Sequence, residues 1–192
     1  MERQIKKISK QLNKLNKSFA LLKRTYYNDS NKQNKFKKEQ MMENKVQINV
    51  FDVANYIIKN NPNITTHMKL HKMIYYAYAK YLVHYYPTPL FTEKISAWLH
   101  GPVVNRLYPN FKNFYAKPIN IFTPKGDINK ITPEIKTILD FIIQKYGVYT
   151  AGALRKKTHQ EKPFLDAYKT TYWIKNIITK KSIYDYFKDK TI

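Results

Sequence analysis

Apolar residues recur at helical spacing along most of the chain. At the start, Ile5, Ile8, Leu12, Leu15, Phe19, Leu22 and Tyr26 follow one another three and four residues apart. That heptad stripe predicts a long N-terminal helix over residues 1–27. A stripe only two positions in seven wide buries too little to hold a helix alone, so it needs one complementary partner. Packing on its own domain, self-association, a membrane surface and another protein are the open fates. A protein contact is favoured, because the stripe is narrow and carries no Trp. Residues 28–45, NDSNKQNKFKKEQMMENK, lose the periodicity and read as a polar basic linker.

Residues 46–192 predict a mainly α, compact helical domain with a small two- or three-stranded antiparallel sheet. Val50, Phe51, Ala54, Ile57 and Ile58 mark a helix closed by Asn60-Asn61-Pro62. Leu70, Ile74, Ala77 and Tyr81 predict a second, packed on one face, capped by Thr65 or Thr66 and stopped near Tyr86 by Pro87 and Pro89. Thr132-Pro133-Glu134 is a cap, an N1 proline and a first-turn acid, and predicts a helix carrying Ile135, Ile138, Ile142 and Tyr146 up to Gly147. Shorter helices are expected from Thr150 to Thr158, from Pro163 through Phe164 and Ala167, and from Ser182 through Ile183, Tyr186 and Phe187.

Between these, Lys94, Ser96 and Leu99 alternate with Ile95, Ala97 and Trp98 as in a short strand, which the run Ile119 to Phe122 could join. Gly101-Pro102 predicts a corner that turns the chain into another helix through Val103, Val104, Leu107 and Tyr108.

Composition narrows the chemistry. The chain has 192 residues and no cysteine, which excludes disulfides, thiolate metal sites and a Cys nucleophile. No apolar run approaches the ~20 residues of a membrane span, and the N-terminus lacks a signal-peptide core, so a soluble cytoplasmic protein is expected. The formal charge of +22 suggests nucleic acid as a partner. Only four of the 35 cations are Arg, however, and Lys, Asn, Ile and Tyr all have AT-rich codons, so a low-GC genome accounts for much of the excess. Nucleic acid is therefore the alternative partner and not the favoured one. The arm and linker, residues 1–45, carry 13 cations against 4 acids and are the more densely basic part.

Catalytic signals are weak. His67 and His71 lie one helical turn apart, but no acid stands near them and a third ligand would have to come from His84, His100 or His159. Solvent-exposed or capping histidines are the commoner reading, and no metal or cofactor is expected. His159 and Glu161, in THQEKPF, are the only acid/base candidates, and a hydrogen-bonded turn before the Pro163 helix explains them more simply. No catalytic residue is assigned.

The ordered segments VANYIIKN, ITTHMKLHKMIYYAYAKYL, PLFTEKISAWLHGPVVNRLY, YGVYTAGALRKKTH, EKPFLDAY and SIYDYF resemble the Panacea domain, the SocA-like antitoxin family often described as phage-associated. The resemblance runs from residue 50 to about 187, and its most specific part is the Trp98 to Tyr108 run. His71 departs from a Gln usual in the family and Phe164 from a common Trp. The scaffold residues it carries over are Leu70, Tyr75, Tyr76, Trp98, Gly101, Pro102, Val103 and Tyr108. It implies a non-enzymatic protein that binds a cognate toxin directly and holds it inactive. Tyr85, Tyr86, Phe91 and Tyr108 are candidate partner anchors, together with the stripe from Ile5 to Leu22.

Overall fold

Asn49 begins the described domain by folding its side chain over the first helix. Its Oδ1 accepts from Phe51 N and Asp52 N, while Asp52 accepts from Asn49 N, so a reciprocal capping box starts α1, Val50–Asn60. The computed structural model describes residues 48–61, 65–168, 176–190 and 192, all within the unit Gln47–Ile192. The predicted arm helix, with Ile5, Ile8, Leu12, Leu15, Phe19 and Leu22, and the linker 28–45 lie outside the described residues.

The domain is built around α2, His67–Tyr85, capped by the Thr66 hydroxyl and ended at Tyr86 before Pro87. The sequence stripe predicts one buried face. Instead 14 of its 19 residues are buried, Lys69, His71 and Lys72 among them, because neighbours enclose it on nearly every side. Those neighbours are α1, α4 (Pro133–Tyr146), α5 (Ala151–Thr158), α7 (Lys180–Phe187) and the β2 strand described below. Lys69 is accommodated by donating its ammonium to the carbonyl of Gly147 at the C-terminal end of α4, where helix carbonyls lack internal partners. As expected, α4 starts on the Thr132 cap with Pro133 at N1, and it buries Ile135, Ile138, Leu139, Ile142 and Tyr146.

The sheet differs from expectation at the Gly-Pro corner. Residues Ile95–Trp98 form β1 and Gly101–Val104 form β2, paired antiparallel with Ile95 opposite Val104 and Trp98 opposite Gly101. The corner is therefore a two-residue hairpin turn, Leu99-His100, and not a helix start. The chain turns helical only at the four-residue α3, Tyr108–Phe111. Gly101 has φ +103°, and an added Cβ would stand 2.7 Å from Lys72 Cε, so both the backbone angle and the buried lysine demand glycine.

The second edge of β1 is covered by Asn176–Ile178, whose bridge to Ser96 is held by Ala97 N to Asn176 O (2.7 Å) and Ile178 N to Ile95 O (2.8 Å). The run from Ile119 does not join this sheet. It bonds back to the start of α2 through Ile119 N and Thr65 O. The helix α6, Lys162–Tyr168, packs against β1 and α7, and α7 is capped by Thr179, three residues earlier than Ser182. Seven α-helices and one two-stranded antiparallel sheet make up the described residues.

Candidate functional site: the hairpin tip and its buried supports

Polar side chains on α2 hold the hairpin from beneath. Val104 N donates to His71 Nδ1 (3.1 Å), so that nitrogen carries no proton. Neutral His71 must then be protonated at Nε2, which donates to His67 Nε2 at 3.0 Å. Both rings are neutral and committed to each other. Burial depresses the pKa of both, of His67 to about 4 and of His71 well below the ordinary range, with the Lys72 charge adding to the effect. These histidines are neither exposed nor caps, and their facing nitrogens are occupied. Among the described residues no group of three or more His, Cys, Asp or Glu side chains could hold a metal ion.

The next residue, Lys72, is fully enclosed and donates to Pro102 O (3.2 Å). Burial, with the Arg155 charge nearby, lowers its pKa to about 7. Above it the hairpin presents Trp98, 39% exposed, and Leu99, 61% exposed. Trp98 rests on Tyr108 (centroids 4.8 Å), and Tyr108 rests on His67 (4.9 Å). Beside β1, α6 adds the exposed Leu165 and Tyr168. His159, Phe164 and Tyr168 stack successively at 4.4 and 5.3 Å. The result is an aromatic and aliphatic face with Arg155, His159 and His100 around it.

The four predicted anchors do not form one patch. Tyr108 lies at the N-terminal end of α2 and Tyr85 at its C-terminal end, a helical rise of about 27 Å apart. Tyr85 is half-buried against Tyr81, and Tyr86 is exposed but stacked on Tyr184 at 4.1 Å. Phe91 is 1% exposed and packs on Tyr78, so it offers a partner nothing: a core ring beside a proline turn looks the same in sequence as an anchor. Of the scaffold residues, Leu70, Tyr75, Tyr76, Gly101, Pro102 and Val103 are buried, while Trp98 reaches the surface.

Glu161 and His159 turn to different partners, Tyr76 and Phe164. The Glu161 carboxylate is buried beneath α2 and accepts from Tyr76 OH at 2.8 Å, with Tyr76 stacked on Tyr146. Burial pushes its pKa up to about 7 against the opposing pull of the Tyr76 hydrogen bond and Lys157. The turn before Pro163 is present, with Glu161 N bonded to Thr158 O. Its side chain belongs to the core, which the hydrophilic run around it conceals.

No curated protein and no solved structure matches the chain. Residues 70–164 match the model of a family described as antitoxin SocA-like, Panacea domain, a span inside the broader 50–187 resemblance that takes in α2, the hairpin, α4 and α5. From Leu70 to Phe164, therefore, this chain carries a Panacea domain of the SocA-like antitoxin family.

Proposed function

We propose that the chain is a non-enzymatic antitoxin that holds a cognate toxin inactive by direct contact through the hairpin tip and α6. The observation carrying this reading is the exposed pair Trp98 and Leu99, standing inside the segment that matches an antitoxin family. A Trp at the end of β1, resting on Tyr108 and through it on His67, loses little side-chain freedom on binding and suits a hot spot. The predicted arm, Ile5 to Leu22, is a second contact in this reading, either to the toxin or to a second copy of the chain.

Co-expression with the product of the adjacent reading frame tests it. Growth should be restored and the two proteins should co-purify. Trp98→Ala with Leu99→Asp should abolish both while leaving the circular dichroism unchanged. A neighbour that is not toxic, or that is neutralised equally well by the double variant, overturns the proposal. The +22 charge favours nucleic acid as the second reading, which predicts binding that falls steeply with added salt.

A further inference from the structure

The underside of the hairpin gathers basic side chains with no acid among them. Lys72 Nζ lies beneath Gly101, and Thr158 Oγ1 closes the same space: the two atoms stand 3.1 and 3.0 Å from where a Gly101 Cβ would be. Thr158 is on the last turn of α5, flanked by Arg155 and His159, which are four residues apart and so share a helix face. Arg155 Nε and His159 Nε2 are both buried and have no hydrogen-bond partner. The salt bridges among the described residues involve other cations, and the nearest acid in sequence, Glu161, is turned away to Tyr76. Three N–H directions radiate from an ammonium, and the one hydrogen bond to Pro102 O leaves Lys72 with capacity to spare.

Buried donors are nearly always paired, and like charges are not usually brought together without compensation. Burial, with the charges of Arg155, Lys72 and His100 adding to it, lowers the pKa of His159, so its ring is neutral near pH 7. An arginine fork, an ammonium and an imidazole converging without an acid match the oxygens of a small anion better than any neutral ligand.

We propose that Lys72, Arg155 and His159 form a binding site for a compact oxyanion, a carboxylate or a phosphate group, beneath the Leu99-His100 turn. The bound group would accept from Arg155 Nε and, in the tautomer protonated there, from His159 Nε2, and it would offset the positive charge that Arg155 and Lys72 bring close together. Because the site lies under the hairpin tip, its occupancy also fixes the surface on which Trp98 and Leu99 stand.

The test uses the full-length protein, with the His159 ring resonances followed by NMR near neutral pH. Inorganic phosphate and acetate are titrated separately, with ionic strength held constant by chloride. At least one anion should give a saturable shift of His159, and the tighter of the two identifies the oxyanion class. Arg155→Gln should weaken that binding about tenfold or more, as expected for loss of one charge-assisted hydrogen bond. His159→Gln, followed through the amide of Thr158, reads the same site without the ring. Shifts that stay linear for both anions overturn the proposal, and so does saturation that survives Arg155→Gln with less than this loss.

Discussion

Replacing Glu161 by Gln should change the pH dependence of stability in one direction only. The carboxyl titrates near 7 in the fold and near the ordinary glutamate value of 4.5 in the unfolded chain. Between those values the native state holds the proton that the unfolded chain has released, so wild-type stability falls as pH rises through this window. A span of about 2.5 pH units, at about 1.36 kcal/mol each, gives roughly 3 kcal/mol. Gln keeps an acceptor for Tyr76 OH and puts an amide donor in place of Oε2, the carboxylate oxygen that has no hydrogen-bond partner. The groups that act on this carboxylate are Tyr76, Tyr75, Lys157 and Lys190, and the substitution leaves all of them in place.

Urea denaturation of both proteins at a series of pH values measures the difference. Glu161→Gln should match wild type near pH 4 and exceed it by about 3 kcal/mol near pH 8. His67 and His71 act oppositely: their lowered pKa values make stability rise with pH between about 4 and 6.5. They lie toward the N-terminal end of α2 and are common to both proteins, so they cancel in the difference. A difference that does not change with pH, or a variant less stable than wild type at pH 8, would refute the placement of an ionisable carboxylate in this core.

The other expectations concern the hairpin supports. Lys72→Met should remove the rise in stability that wild type shows from about pH 7 to 10.5, where the folded chain holds fewer protons than the unfolded one; the full effect is at most about 4 to 5 kcal/mol, read from denaturation curves. His71→Leu leaves Val104 N without its acceptor and should cost about 1 to 3 kcal/mol in the same assay. Gly101→Ala should lower the melting temperature through both its φ of +103° and its 2.7 Å approach to Lys72. Gly152→Ala, in α5 with only Thr150 Oγ1 at 3.9 Å, should instead stabilise by up to about 1 kcal/mol.

The contrast between those two glycines explains what the sequence could and could not disclose. Helices α1, α4 and α5 were legible because their determinants are local: Asn49 with Asp52, Thr132 with Pro133, and Thr150 each act within four residues. The β2 strand was not, because Val103, Val104 and Leu107 fit a helical spacing as well as an extended one, and Leu99-His100 lacks the Asn-Gly signature of a tight turn. What decides for the strand lies elsewhere in the chain. His71 offers an acceptor to Val104 N, Lys72 donates to Pro102 O, and Asn176 to Ile178 line the far edge of β1. The candidate site was hidden for the same reason. A lysine within a helix reads as surface, and the carbonyl of Pro102 and the missing Cβ of Gly101 make its burial tolerable. Its partners are 30 and more residues away, so the polar residues that matter most here are those whose hydropathy argues most strongly that they belong outside.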